Sequence, residues 1–261
     1  MPNFSVQTYT VRKHLKSLSA IEASLTRLKA MGVNAIELAR IKWTQEEIAT
    51  VARVSQALEM TVGSSQNSFD FLSRYVDQTI QFHQQLDCRY ISVSALPMRC
   101  IIGNEKALAK FAVALNSLGE VYRQQGFRLL FHHHHFEFQK YGHKTGLDIL
   151  LEHSSAENIG LTLDTYWLQR GGKTPHDTIL ELSERVDVVH LRDYQIRWKY
   201  LDLLPTDAAL GVGHLHFGKI VESCKHANVA YMAIEQETKT PFDDLAKSIQ
   251  HLKNLDYGHL F

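Results

Sequence analysis

The stretch RLLFHHHHFEF, residues 128–138, sets an apolar run, Leu129-Leu130-Phe131, directly against four consecutive histidines, His132 to His135. Glu137 follows between two phenylalanines. A purification tag would sit at a terminus. Apolar residues on both sides instead read as a strand running into a loop. Alternate residues of a strand share a face. His132 and His134 therefore point one way, His133 and His135 the other. The run offers one or two groups to a site, not four. Glu137 lies just past the strand, where the chain can curl inward.

The same order of features recurs along the chain: a short β-rich run, a polar or glycine-containing junction, then an amphipathic segment. Phe4–Gln7 precedes a helix near Ser17–Met31, with Gly32 placed as a helix C-terminal glycine. Ala35–Leu38 precedes a helix from Thr44, where Thr44 and Glu47 have the spacing of a capping box. Met60–Gly63 precedes a helix near Ser68–Gln85, and Tyr90–Val93 one near Glu105–Gln124. Leu129–His132 is followed by Leu147–Glu152, and Ile159–Leu163 by His176–Leu182. Val186–His190 leads into a long loop and a helix near Gly218–His226; Ala230–Glu235 leads into Asp243–Leu252. Alternating βα units imply a parallel sheet. Eight of them in 261 residues predict a (β/α)8 TIM barrel as a single domain, residues 1–261. An open doubly wound sheet would commonly carry a glycine-rich phosphate loop at its first turn. The first turn here, Gln7-Thr8-Tyr9-Thr10-Val11, has no glycine.

Formal net charge is zero, with 28 basic and 28 acidic residues, which argues against a nucleic-acid partner. Cys88, Cys100 and Cys224 form neither a disulfide framework nor a zinc knuckle. The N-terminal MPNFSVQTYT lacks the apolar core of a signal peptide, and no window approaches the ~18 apolar residues of a membrane helix. The expectation is a cytoplasmic protein with no membrane partner.

In such a barrel the active site lies at the C-terminal ends of the strands. Those ends carry Glu37, His132–His135 with Glu137, Asp164, His190, and Glu235 with Glu237. Gln7, Tyr9, Ser92 and Ser94 lie at two further ends. Carboxylates and imidazoles at the rim of an apolar barrel are expensive to bury unless something neutralises them. A divalent cation does so. Oxygen and imidazole donors without thiolate suit Mn2+, Fe2+, Co2+ or catalytic rather than structural Zn2+. Singly, Asp164 reads equally well as a turn or helix cap, and His190 as a hydrogen-bonded structural histidine. Together with Glu235 they face one small mouth, and a shared metal site follows.

These residues fall in motifs that resemble the sugar phosphate isomerase/epimerase proteins of the xylose-isomerase-like TIM-barrel superfamily. HHHHFEF (132–138) resembles that family's HNHxxEF, and LTLDTYWLQRGGKTP (161–175) its LDTYWxxxGG. VVHLRDY (188–194) resembles VHLKDY, and AIEQE (233–237) the acidic motif of the last strand. LGVGHLHF (210–217) resembles LGxGxxxF/W, with Val212 in place of the usual acidic residue. Together they cover most of the C-terminal half in order. The N-terminal half matches as strand pattern, including GVNAIEL (32–38).

The resemblance implies one divalent ion (Mn, Fe, Co, Zn or Mg) held by Asp164, His190, Glu235 and a group from the fifth strand. Many relatives have a glutamate at that strand's position, which here falls near His132. Either a histidine takes its role or Glu137 bends back. Glu235, His132 and Glu137 are the candidate catalytic groups. Glu37, His134, Trp167 and Arg192 are the candidates for contacting substrate, Trp167 by packing its ring on a sugar face. Arg192 stands where relatives usually have lysine, so a bidentate fork replaces a point charge. The implied chemistry is proton transfer next to a carbonyl of a small sugar or keto-polyol, keto-inositols included, giving isomerisation or epimerisation. Dehydration of the same substrate class is the alternative, followed by abasic-site nuclease chemistry and by a non-catalytic sugar sensor. Homo-oligomers are common among such relatives.

Overall fold

The computed structural model describes residues 3–261; the first two residues of the N-terminal stretch read above lie outside it. Eight strands form the barrel: β1 (Asn3–Gln7), β2 (Ala35–Leu38), β3 (Thr61–Asn67), β4 (Tyr90–Val93), β5 (Arg128–His132), β6 (Ile159–Asp164), β7 (Val186–Leu191) and β8 (Tyr231–Ile234). They follow one another round the wall in chain order, and β8 closes on β1, Asn3 facing Tyr231 and Val6 facing Ile234. The pairings of this wall are parallel.

The period-two alternation sorts the side chains. Phe4, Val6, Ile36, Leu38, Ile91, Val93, Leu129, Phe131, Leu161, Leu163, Val189, Leu191, Met232 and Ile234 join the buried apolar layer. Each such burial is worth roughly 1.5–3 kcal/mol. The intervening residues point inside the barrel, and toward its C-terminal end they are polar: Gln7, Glu37, Ser64, Ser92, His132, Thr162, Asp164, His190 and Glu235 are all buried. The outer face thus anchors the wall to the helices, and the inner face is left for chemistry.

The helices follow local rules. Glu105–Gln124 buries Leu108, Phe111, Ala112, Leu115, Leu118, Gly119 and Tyr122, the three-to-four spacing of one helical face, and Asn104 caps it by accepting from Ala107 N at 3.1 Å. Gly32 ends the Leu18–Ala30 helix at φ 90°, a left-handed position that favours glycine. The expected capping box at Thr44 is half present. Thr44 Oγ1 accepts from Glu47 N, but the Glu47 carboxylate turns to Lys42 N, 2.6 Å away. The segment read as one helix over 68–85 is two, Phe69–Arg74 and Val76–Gln85, broken at Tyr75 (φ −118°, ψ 48°).

The largest departure from the sequence reading follows β7. The expected long loop is an antiparallel ribbon, Asp193–Lys199 paired with Asp202–Ala208. Its base is locked by Asp193, whose buried carboxylate accepts from the backbone N–H groups of Tyr194, Gly211, Gly213, His214 and Leu215 at 2.8–3.1 Å. A Cβ at Gly213 would stand 2.2 Å from Tyr194 O, so the close wrap needs glycine there. Among the described residues no helix is long and apolar enough to cross a membrane.

Candidate metal centre and active site

His132, Asp164, His190 and Glu235, from the ends of β5, β6, β7 and β8, each offer one ligand atom, and these atoms lie within 4.8 Å of one another. All four residues are buried. Backbone register sets this up: Asp164 pairs with His190 and His190 with Ala233, so neighbouring strand ends deliver their side chains at one height.

The two imidazoles are each pinned through one nitrogen. His132 Nδ1–H donates to Ser94 O at 3.0 Å, leaving Nε2 toward the cluster, 4.0 Å from Asp164 Oδ2. His190 Nε2–H donates to Glu37 Oε1 at 2.8 Å, leaving Nδ1 3.0 Å from Glu235 Oε2 and 3.9 Å from Asp164 Oδ2. His132 Nε2 and Asp164 Oδ2 are buried without a hydrogen-bond partner, and His190 Nδ1 makes no well-directed hydrogen bond, its one near neighbour being Glu235 Oε2, with which it forms an ion pair when the ring is protonated. A buried polar atom left unpaired costs on the order of 1–3 kcal/mol. These three atoms converge on one point and are stabilised if a cation sits among them. Two imidazole nitrogens and two carboxylate oxygens make a donor set suited to a first-row divalent ion. The outer hydrogen bonds fix which ring nitrogen is free, as histidine ligands require.

The electrostatics agree. Burial alone would lower the His190 pKa, but the Glu37 and Glu235 carboxylates outweigh it and push it up to about 10. Burial would raise Glu235, yet Arg192 and His190 hold it well below the carboxylate range. The cluster is short of positive charge and gathers a proton where it has no metal.

Glu37 is placed differently from the substrate contact expected of it. It lies fully buried beneath His190, bonded to His190, to Gln7 Nε2 at 2.7 Å and to Ser64 Oγ. Burial would raise its pKa, but His190, Ser64 and Gln7 keep it lowered. It fixes the His190 ring from beneath and does not line the cavity above. Glu137 does not bend back to the cluster either. Its Oε2 accepts from His134 N at 2.8 Å, and burial pushes its pKa up to about 8. The short 3-10 turn Phe136–Phe138 carries it away from the strand end, and His132 stands in the group instead.

The remaining candidates reach the mouth. A cavity of about 510 Å3 opens over the cluster, lined by His132, His134, Trp167, Arg192 and Glu235 with Gln7, Tyr9, Gln66, Asn67 and Glu237 among others. The His134 ring lies 4.7 Å from that of His132 and stacks on Phe136. Burial and the neighbouring histidines lower its pKa to about 2, so it faces the cavity as a neutral imidazole. His133 points the other way, donating from Nδ1 to His134 O and accepting from Asp164 N through Nε2. Asp164 Oδ1 caps the short helix Thr165–Arg170 at Trp167 N, 2.9 Å away, so this residue is both cap and candidate ligand.

Sequence reasoning missed one residue of consequence. Arg192 is clamped by Asp207, from the ribbon, through Nε at 2.7 Å and Nη2 at 3.1 Å, and it also meets Glu235 Oε1 at 3.0 Å and Glu237 Oε1 at 2.9 Å. An arginine fork suits a carboxylate partner. Nothing in PTDAALG (205–211) marked Asp207 as that partner.

A family model for the xylose isomerase-like TIM barrel matches residues 25–255, and the chain belongs to that family. No curated protein matches the sequence. Solved structures with the same fold include a sugar phosphate isomerase/epimerase from Parabacteroides distasonis, 17% identical, covering 97% of this chain and 94% of that one, with a TM-score of 0.77. The probable 3-DHS dehydratase AsbF involved in petrobactin synthesis from Bacillus anthracis is 14% identical over 97% of this chain and 99% of that one, with a TM-score of 0.76. IolI protein with a bound zinc atom is 12% identical over 99% of each chain, with a TM-score of 0.70.

Proposed function

We propose that this protein is a divalent-metal-dependent isomerase or epimerase acting on a small sugar or keto-polyol by proton transfer next to a carbonyl. The observation that carries the reading is the set of three buried atoms without a well-directed hydrogen bond, His132 Nε2, Asp164 Oδ2 and His190 Nδ1, gathered with Glu235 at the floor of an open cavity. Its ligands are His132, Asp164, His190 and Glu235; Glu37 and Ser94 O set the two imidazole orientations. A bound divalent ion there supplies Lewis-acid polarisation of the substrate carbonyl and offsets the negative charge that develops on its oxygen.

The chain's own groups do the rest. Arg192 holds Glu235 Oε1 and keeps that carboxylate ionised, the form a proton acceptor needs, at some expense of its basicity. Its cation is matched by Asp207 and Glu237, so it positions Glu235 without becoming an unpaired buried charge. His134 presents a neutral ring to substrate hydroxyls, and Trp167 forms a flat apolar wall beside it, 5.2 Å between ring centroids. Dehydration shares the proton-abstraction step but needs a proton donor for the departing hydroxyl. His134, with its lowered pKa, is a poor one.

The test is solvent deuterium incorporation at the α-carbon across a panel of ketoses and keto-inositols, with metal-loaded protein. The reading expects wash-in for at least one member, and a loss of roughly 10²–10⁴-fold in Glu235→Gln. Metal-loaded, folded protein that exchanges no α-proton in any member would contradict it.

A further inference from the structure

Most of the ribbon after β7 stands apart from the metal centre: none of its residues, Asp193–Lys199 and Asp202–Ala208, lines the cavity. Its base nonetheless reaches the rim. Asp207, one residue before the second strand ends, faces Tyr194 across the pair. Its carboxylate side chain, 14% exposed, joins three parts of that rim. Oδ1 accepts from Arg192 Nε at 2.7 Å and from Glu237 N at 3.1 Å, and Oδ2 accepts from Arg192 Nη2 at 3.1 Å. The end of β7, the chain after β8 and the ribbon therefore meet on one carboxylate. The N–H groups gathered on Asp193 hold the ribbon base where it is.

A guanidinium is planar, and a carboxylate across its Nε–Nη2 edge fixes that plane. With this edge taken by Asp207, Nη1 is aimed at Glu235 Oε1, 3.0 Å away. The other oxygen, Oε2, lies 3.0 Å from His190 Nδ1, on the side of the ligand cluster. Glu235 is thus split: one oxygen turned to the cluster, the other held back by Arg192. Arg192 also has a competing partner. Its Nη2 donates to Glu237 Oε1 at 2.9 Å, and the Glu237 side chain is 33% exposed and freer to follow it. Without the Asp207 fork the guanidinium can turn toward Glu237, and Glu235 can then close both oxygens on a bound ion. Burying the Arg192–Asp207 pair adds little net stability, because desolvating both charges offsets their attraction. Its use lies in where it holds the guanidinium.

We propose that Asp207 is a positioning residue for the proton-transfer chemistry, acting through Arg192: it sets the guanidinium so that Glu235 gives Oε2 to the metal and keeps Oε1 off it. The inference rests on the metal-dependent reading above and gives the ribbon a task, which is to deliver one carboxylate to the arginine behind the base.

The experiment loads wild type, Asp207→Asn, Arg192→Gln and the double variant with Co2+. It reads metal content and the visible absorption of the bound ion, which follows the number and geometry of its ligands. Asp207→Asn should keep about one ion per chain and change the absorption. In the Arg192→Gln background the same substitution should change nothing further, because the group it acts through is gone. With any ketose or keto-inositol that wild type exchanges, Asp207→Asn should lose roughly 10–100-fold in kcat with KM little changed. Where Asp207→Asn fails to fold, Asp207→Glu keeps the charge on a longer stem; its Co2+ absorption should still depart from that of wild type. Three results overturn the proposal: a wild type that takes up no Co2+, an Asp207 variant with wild-type absorption, or losses that simply add in the double variant. If wild type exchanges no probe while the Co2+ absorption behaves as expected, the isomerase reading fails and the positioning role stands.

Discussion

Two buried histidines in this barrel show how a structural imidazole differs from a functional one. His83 packs between the wall and the helices, stacked on Trp43 with 5.0 Å between ring centroids. Its Nδ1–H donates to Thr79 O at 2.7 Å and its Nε2 accepts from Ser65 Oγ at 2.7 Å, so both nitrogens are used. Burial lowers its pKa to about 4, and it stays neutral. His190, equally buried on the inner side of the wall, has one nitrogen fixed by Glu37 and the other left among carboxylates without a well-directed hydrogen bond. His132 repeats the pattern. Complete pairing marks a ring that holds the fold together. A ring with one nitrogen anchored and one withheld marks a place kept for something else.

The largest effect expected from this contrast is on metal affinity. Asp164→Ala or His132→Ala should lose more than the 10–100-fold typical of removing an outer hydrogen-bond partner, measured by competition with a chromogenic chelator. Glu37→Gln removes only the anchor of His190 and should fall within that 10–100-fold range. If it matched Asp164→Ala, Glu37 would itself be a ligand, and the division between anchoring and binding groups would be misplaced. His83→Ala should leave metal affinity unchanged and lower stability by roughly 2–4 kcal/mol, through a cavity and an unpaired Ser65 hydroxyl, read by denaturant unfolding.

A separate effect, full only near pH 4 and absent at neutral pH, is on acid stability. The His83 pKa is about 4 in the folded chain against 6.5 for an ordinary histidine, so the unfolded chain binds more protons between those values. Its contribution is present above pH 6.5 and is lost as pH falls toward 4, by up to about 3 kcal/mol. His83→Gln should flatten that part of the stability–pH curve relative to wild type. Parallel curves would mean that His83 does not titrate as its two hydrogen bonds require.

Much of this was legible in the chain. Periodicity and junction residues give the eight units, because parallel strands buried on their outer face read as short apolar runs and helices as three-to-four spacings. The parity of the HHHH run separates His132 and His134 from His133 but does not say which side faces the mouth; the structure puts His132 and His134 on the cavity and turns His133 to Asp164 N. What stayed hidden depends on contacts distant in sequence. Glu37 ends an apolar strand just as Glu235 does, and only the closed wall shows that one lies under His190 and the other beside it. Asp207 sits in a segment without an apolar period, and its partner is fifteen residues earlier, across a ribbon whose turn residues, Tyr200 and Leu201, carry no hairpin signal. Glu137 looked free to curl inward, but a 3-10 turn and the His134 N–H hold it elsewhere.

The central claim is that His132 Nε2, Asp164 Oδ2, His190 Nδ1 and Glu235 form one divalent-metal site. Elemental analysis of tag-free wild type, His132→Ala and His83→Ala, each incubated with Mn2+, Fe2+, Co2+, Zn2+ or Mg2+ and desalted, tests it most directly. The account predicts about one ion per chain in wild type and His83→Ala for at least one of these metals, and none in His132→Ala. Wild type that retains no ion with any of them, or His132→Ala that retains as much as wild type, would contradict it.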